Sequence, residues 1–447
     1  MTSRWGRYGG RPLLALCLVG LVDAVDRGVL PGVLPAIQRD LGISDAQAGL
    51  LNTALVVATV LLAVPGGVLS DRRDRRWLIG GVLMLWSAAT AMASAVQTFW
   101  QLFVLRAALG AGDAVNEPAV QSLVADYYRP EVRGRAYAFQ RVVPTVGTGL
   151  GLGLGAALGA AFGWRVAVLA VAIPGITVAL LVRRLPLPPR GASEHEGSAA
   201  DVGAPELPPV PPPPAAPALG TMASVRSALS VPSLRALLLA SAIINGVLAS
   251  LGFWGVTYHV RSSGMSEGMA GGLVGGLVLL GAVAGGILGG QATDRYRHRF
   301  SGWPMLLGGG VTLVGTVLLL VSFMDGLPVY SVRLPLQTLA VGLVVSALPP
   351  LTVMTAEVVP AALRGTTFGL LKLCSNILAA AVPPLIGLLA DSRKITLDTG
   401  EVVGDLGYAF RMTAPLVLVG SVLLLLRRKS LDADVERARL TAPSPLA

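Results

Sequence analysis

The sequence predicts an all-α integral membrane protein in which twelve transmembrane helices form two pseudo-symmetric six-helix bundles. Three observations lead there. The chain of 447 residues is 53% hydrophobic and 13% charged, with 55 glycines and a mean hydropathy of +0.68, too apolar for a water-soluble globule of this length. Twelve apolar stretches reach the about 20 helical residues that a ~30 Å hydrocarbon core requires. An eleven-residue element occurs twice, Gly66-Gly67-x-x-Ser70-Asp71-Arg72-x-x-x-Arg76 and Gly289-Gly290-x-x-Thr293-Asp294-Arg295-x-x-x-Arg299, offset by 223 residues, about half the chain. Repetition at that distance marks a duplicated membrane half.

The twelve stretches lie near 12–37, 45–70, 77–97, 99–127, 135–161, 164–182, 236–260, 268–292, 303–324, 330–356, 365–390 and 405–426. They are continuous rather than alternating, which argues for helices over a barrel. The first runs past the length of a signal-peptide apolar region and lacks a small-residue cleavage site, so it is expected to stay as helix 1. Residues 1–183 then make the N-terminal bundle and 233–427 the C-terminal bundle. Between them, 184–232 reads as a cytoplasmic linker: Pro205, Pro208, Pro209 and the run Pro211 to Pro214 stand among Gly, Ala, Ser and acidic residues, a composition suited to extended or disordered chain. Residues 428–447 form a cytoplasmic tail. Pro118, Pro144 and the pair Pro349-Pro350 are expected to interrupt helices 4, 5 and 10, and Trp254, Tyr258 and His259 to sit in an interfacial belt at the outer end of helix 7.

A formal net charge of +10 would suit a nucleic-acid partner, but the placement of the charges argues against one. Basic residues gather in alternate loops: Arg4, Arg7 and Arg11, the 72–76 cluster, Arg129, Arg133 and Arg135, the linker, 295–299, Arg364 and the tail from Arg427. That asymmetry places both termini in the cytoplasm. Three of the 35 basic residues are Lys, which points to a GC-rich bacterial genome and a multi-pass protein of the plasma (inner) membrane. Cys17 and Cys374 both fall within membrane helices, so a disulfide framework is not expected. His195, His259 and His298 have no metal-ligand spacing, and neither metal nor cofactor is called for. An enzyme would need a convergent nucleophile or metal constellation, and a channel a pore segment repeated around an axis; the chain offers neither pattern. It reads as a monomer.

Chemistry is expected from the ionisable residues carried into the bilayer: Asp23, Asp26, Arg27, Arg106, Asp113, Glu117, Arg141 and Lys372. Each costs ~2.5–3.5 kcal/mol at a helix centre. Eight unpaired charges would cost roughly 20–28 kcal/mol, beyond the ~5–15 kcal/mol net stability of ordinary proteins, so they must face a hydrated cavity or one another. At ~100° per residue, Arg106 and Asp113 lie within ~20° of one face and Glu117 is ~40° further round. Asp23 and Arg27, four apart, can pair along helix 1. Arg106 stays charged and suits an anionic or zwitterionic headgroup or a carboxylate partner, while Asp26, Asp113 or Glu117 suits proton uptake. A static ion-pair network holding helices 1 and 4 in register is the competing reading. Lys372 either faces the cavity or snorkels toward the cytoplasm.

A second correspondence accompanies the repeat. Asp126 precedes Arg133-Gly134 by seven residues, and Glu357 precedes Arg364-Gly365 at the same spacing. An acid and an arginine flanking a short turn can pair across the loop and onto the neighbouring Asp-Arg element. Gly67, Asp71, Arg72, Arg75, Arg76, Asp126, Arg133, Asp294, Arg295, Glu357 and Arg364 are therefore read as a cytoplasmic gate.

These residues resemble the major facilitator superfamily, whose loop between helices 2 and 3 carries a Gly-x-x-x-Asp-Arg-x-x-Arg-type element with a degenerate copy between helices 8 and 9. Within it the chain looks most like the Spinster family. The likeness rests on Asp26-Arg27 followed by Gly32-Val33-Leu34-Pro35-Ala36-Ile37, on Gly49-Leu50-Leu51-Asn52-Thr53, on Arg106-x-x-x-Gly110-x-Gly112-Asp113-Ala114 with Pro118 and Asp126, and on Gly147-Thr148-Gly149-Leu150-Gly151. A glutamate is usual in that family where Asp113 stands. Pro383, Gly387 and Asp391 fit the end of helix 11, but Ser375 and Ala379 stand where the eukaryotic lipid exporters look to have a histidine and an aspartate. The resemblance implies the major facilitator fold, a secondary transporter working by alternating access, a cavity lined by helices 1 and 4 where Asp26, Arg27, Arg106 and Asp113 meet, and a lysophospholipid or sphingoid-type substrate with protons as a possible coupling ion. The alternative is a proton-coupled transporter of small organic ions or drugs.

Overall fold

The computed structural model describes residues 8–128, 130–186, 188, 221–296, 302–360, 363–397 and 399–440. The first half folds into α1 (Arg11–Leu41), α2 (Asp45–Arg72), α3 (Arg75–Ala93), α4 (Phe99–Tyr127), α5 (Pro130–Phe162) and α6 (Trp164–Arg183). After a short helix, α7 (Thr221–Leu229), the second half supplies α8 (Pro232–Ser263), α9 (Glu267–Tyr296), α10 (Trp303–Ser322), α11 (Leu334–Ser346), α12 (Leu348–Glu357), α13 (Arg364–Ser392), α14 (Leu406–Thr413) and α15 (Pro415–Leu440). Among the described residues, ten helices or helix runs are long and apolar enough to cross a membrane. The other two long helices, α1 with 31 residues and α4 with 29, carry Asp23, Asp26, Arg27, Arg106, Asp113 and Glu117 within their length. The result is an all-α membrane fold, with ten candidate spans among the described residues.

Several local features differ from the sequence expectation. Pro118 and Pro144 lie inside α4 and α5 without ending them; in a bundle, neighbouring groups re-satisfy the backbone that proline frees. The tenth span is segmented: a π-helical turn, Val329–Arg333, leads into α11, and the Pro349-Pro350 pair opens α12. The last part of the linker is helical over Thr221–Leu229, a stretch without proline; its Pro-rich part lies outside the described residues. Between α13 and α14 a two-stranded antiparallel ribbon forms, β1 (Lys394–Thr396) with β2 (Val402–Gly404), Ile395 opposite Val403. Trp254, Tyr258 and His259 are no interfacial belt. They are buried, with Trp254 Nε1 donating to Pro383 O at 3.0 Å, His259 Nε2 3.0 Å from Gln337 Oε1, and the Tyr258 ring edge-on to Phe323 and Phe410. Amphipathic rings suit an interface or a polar pocket in a helix bundle equally well, and position in the span does not separate the two.

Chain contacts divide the molecule into two units, one of residues 1–43, 54–213 and 265–275, the other of residues 44–53, 214–264 and 276–447. In the first unit α1 packs along α5 and α6, and α3 along α4 and α6. Its core gathers Leu16, Ile79, Leu83, Leu123 and Tyr128, among others. In the second unit α8 packs on α13 and α15, and α10 on α11 and α15. Each unit thus holds the opening turns of a helix that the other half encodes: α2 begins in the second unit, α9 in the first.

Those openings are secured by charge. In the second unit, Arg261 at the end of α8 holds Asp45 through two 2.8 Å bonds and donates to Gly404 O at 3.2 Å. The Asp391 carboxylate accepts from Ala46 N at 2.9 Å and Asp45 N at 3.4 Å, capping the exposed N–H groups of the helix start. In the first unit Arg39, at the end of α1, pairs with Glu267 at the start of α9. The preceding helices close alike on left-handed glycines, Gly42 at φ 61° and Gly264 at φ 60°, which a Cβ would strain. Arg39-x-x-Gly42-x-Ser44-Asp45 therefore has a copy, Arg261-x-x-Gly264-x-Ser266-Glu267, 222 residues later.

Candidate functional site

The intramembrane charges of the first half lie in the first unit. Small residues on α4 set their positions. A Cβ on Gly110 would lie 2.0 Å from Leu55 O of α2, and one on Gly112 would lie 2.3 Å from Trp86 Nε1 of α3. Only glycine allows these approaches, and they bring Arg106 and Asp113 into the interior, each 6% exposed. Trp86 Nε1 donates to Leu109 O at 3.1 Å, and Thr59 Oγ1 to Gly110 O at 3.1 Å, fixing α3 and α2 on α4.

Around that scaffold the charges sort into two groups. Arg27 bonds Asp23 twice along α1, Nε to Oδ1 and Nη2 to Oδ2, each at 2.9 Å. Its Nη2 also lies 2.7 Å from Asp113 Oδ2 on α4, an ion contact angled poorly for a hydrogen bond. Arg27 thus joins an acid of its own helix to one of the next. Asp26 stands apart from this triad: its Oδ1 accepts from Thr90 Oγ1 of α3 at 2.7 Å. Arg106 differs from both. Among the described residues no hydrogen bond or ion pair reaches its guanidinium, and its Nε is buried without a partner. Asp26, Asp113, Asp23 and Arg27 surround it as a field rather than as contacts.

The along-helix pair of Asp23 and Arg27 follows from spacing four. Thr90 had no signal of its own, since a threonine in an apolar helix reads as neutral. Glu117 is exposed, one turn beyond Asp113. Lys372 is exposed on α13, in the second unit. The side chain of Arg141 lies outside the described residues.

At the basic end of the first unit, Arg75 is buried and meets Asp126 of α4 at 2.5 Å, with Nη1 also 2.5 Å from Ser122 Oγ. Arg76 pairs with Asp74 at 2.9 Å and donates to Leu185 O at 2.8 Å. Asp74 is the N-cap of α3, accepting from Arg76 N at 2.9 Å; the hydrogen bond from the Arg76 side chain holds its carboxyl below the usual carboxylate range. Sequence reading passed over Asp74, although an acid just before an apolar run is a cap signal. The side chains of Asp71, Arg72 and Arg133, and residue Arg299, lie outside the described residues. In the second unit Glu357 is half-buried, while Asp294, Arg295 and Arg364 are exposed. The repeated glycine pairs behave alike in the two units. A Cβ on Gly66 would meet Ala114 O at 2.4 Å and one on Gly289 would meet Ser346 O at 2.2 Å, whereas Gly67 and Gly290 face open space.

Two repeat-related sets of apolar helices, with ionisable groups carried inside α1 and α4, mark a polytopic membrane protein of duplicated build. Residues 16–383 match the Major Facilitator Superfamily, and the chain belongs to that family. It is similar to Protein spinster homolog 3 of Danio rerio, 33% identical over 187 residues covering 41% of this chain and 38% of that protein. It is also similar to Protein spinster of Drosophila melanogaster, 31% identical over 193 residues covering 43% and 32%. The matched regions span less than two fifths of these relatives' length. A crystal structure of a bacterial homolog to the human lysosomal transporter Spinster, inward-facing and unoccupied, superposes with a TM-score of 0.78 at 21% identity, covering 98% of this chain and 100% of that one. The D-xylose-proton symporter gives 0.70 at 14% identity, with 94% and 97% covered. At these identities the likeness shows the fold.

Proposed function

We propose that this transporter moves a lysophospholipid or sphingoid-like amphiphile by alternating access, coupled to protons, across a bacterial plasma membrane with both termini cytoplasmic. Asp26, Arg27, Arg106, Asp113 and Glu117 are its substrate and proton residues in the first unit, and Lys372 is its candidate in the second. The observation that carries the reading is Arg106, a guanidinium 6% exposed with no hydrogen bond or ion pair among the described residues. Burying an uncompensated charge is costly, and arginine does not escape the cost by losing its proton. A phosphate or carboxylate headgroup supplies the missing partner, and apolar helix faces accommodate the chain of the lipid. Arg27 spans Asp23 and Asp113, so a proton on Asp113 weakens one of its two attachments and couples protonation to the registry of α1 and α4.

The gate role of Gly67, Asp71, Arg72, Arg75, Arg76, Asp126, Arg133, Asp294, Arg295, Glu357 and Arg364 belongs to the same proposal. The Arg75–Asp126 pair, which ties the first turn of α3 to the last of α4, supports it. A second reading, transport of small organic ions, is favoured by Ser375 and Ala379, where the lipid-exporter resemblance leads one to expect ionisable groups. Proteoliposomes loaded with labelled lysolipid, with and without an imposed pH gradient, test the choice. Gradient-dependent lysolipid movement is expected. If neither movement nor gradient dependence appears while a small organic ion is carried, the lipid reading is wrong.

A further inference from the structure

A cavity of about 20 Å³ lies inside the first unit. Its lining follows α1 from Asp26 to Ile37, roughly 16 Å of helix at ~1.5 Å per residue, with further residues from α3, α4 and α6. Asp26, Thr90 and Arg106 make one end polar. Beyond them the walls are aliphatic as far as Trp164, whose Nε1 donates to Asp40 Oδ2 at 3.3 Å at the end of α1. The space exceeds the about 10–15 Å³ that one water needs and falls short of two. A dry cavity is the usual state where walls are apolar, but here the Arg106 Nε–H is buried without an acceptor, and Asp26 Oδ2 has no hydrogen bond among the described residues. One water between them would satisfy both.

We infer that this cavity is a single-water site at which a water held between the Arg106 Nε–H and Asp26 Oδ2 passes the proton to that carboxylate. The inference rests on reading Asp26 as the proton-accepting carboxylate. The held water, once protonated, gives that proton to Asp26 Oδ2 and stays as neutral water on the Arg106 Nε–H, while Thr90 keeps its bond to Oδ1. The charged groups around Asp26 are Arg106 and Asp113 on α4 and Asp23 and Arg27 on α1; α3 and α6 bring to the cavity Thr90 and Trp164. Arg106 holds the water and repels a hydronium that lingers, so the proton moves on to the carboxylate.

Infrared spectroscopy of the full-length protein in lipid nanodiscs tests this through the carboxyl stretch of protonated Asp26, identified by its loss in Asp26→Asn. Deuterium exchange of that band is expected to slow at least tenfold in Ala93→Leu, which fills the cavity, and by a smaller factor in Val168→Ile, which adds one methylene should the first variant fail to fold. Wild-type exchange rates in a folded filling variant, or no Asp26 band at any pH, overturn the inference. Lysolipid counterflow without a pH gradient, measured on the same samples, reads the substrate proposal separately. Its absence from the wild-type protein would sink that proposal and leave the water site standing.

Discussion

The ion pair that fastens the opening of α2 gives the sharpest energetic prediction. Asp45 is 3% exposed and Arg261 has 11% of its side chain exposed. Two parallel 2.8 Å bonds join them. Asp45→Asn keeps the shape and removes the charge, leaving Arg261 with a neutral amide and the Gly404 carbonyl. Removing one partner of a buried pair costs ~3–5 kcal/mol; because an amide oxygen still accepts one bond, the lower end is expected, about 3 kcal/mol. At about 2–4 °C per kcal/mol, the melting temperature of the purified protein should fall by about 6–12 °C. The related pair supplies the control. Arg39 has 52% of its side chain exposed and Glu267 12%; a pair whose arginine stays in water falls toward the ~1 kcal/mol of exposed pairs, so Glu267→Gln should shift melting by no more than about 4 °C. Asp45→Asn combined with Arg261→Gln should recover part of the loss, since no orphaned charge is left. Equal small shifts for Asp45→Asn and Glu267→Gln, or a double variant worse than the sum of its singles, would refute the reasoning.

Other expectations follow from the site and its surroundings. Arg106→Ala and Asp113→Asn should each abolish transport in proteoliposomes while yielding normal amounts of folded protein by size-exclusion chromatography; wild-type rates in both would reduce the polar stripe to scaffolding. Gly66→Ala drives a methyl into the Ala114 carbonyl and should lose folded protein, whereas Gly67→Ala meets nothing within 4 Å and should not; comparable yields would refute the close approach of α2 and α4. Asp74 has its folded-state pKa depressed by Arg76, so it stabilises the fold above the unfolded value, about 3.9, and that contribution disappears as pH falls through the folded value. Asp74→Asn should therefore melt lower than wild type at neutral pH, with a difference that shrinks as pH falls below about 4; a difference that did not change with pH at all would assign the effect to something other than charge.

Sequence and structure agree where the signal is periodic or local. Hydrophobic runs mark the spans because a bilayer leaves the backbone no alternative to helix, and Asp23 with Arg27 were paired by spacing alone. Legibility fails where a partner comes from a distant helix. Thr90 for Asp26 depends on where α3 meets α1, and Arg75 for Asp126 on the packing of α3 against α4, set by Gly112 against Trp86 and not by any pattern in α3 itself. The exchange of helix starts was in the sequence as Arg39-x-x-Gly42-x-Ser44-Asp45 and its copy, but an arginine at a helix end and an acid at the next start look like ordinary dipole complements. Nothing in one copy says that its arginine takes the acid of the other. Trp254, Tyr258 and His259 misled for a related reason: burial in a bundle depends on neighbours such as Gln337 and Phe410 that arrive much later in the chain.

The first unit draws residues 265–275 from the second half of the chain, and Arg39 and Glu267 stand 228 residues apart. Synthesis at ~5–20 residues per second puts roughly 10–45 s between the ribosome's completing α1 and its delivering the acid that Arg39 pairs with. During that interval the first six helices are inserted but lack a piece of their own packing. Substitutions in 265–275 would therefore act as folding defects of the N-terminal half, although they map to the C-terminal one. A nascent chain stalled before residue 265 should be more open to protease at the end of α1 than one released past residue 275.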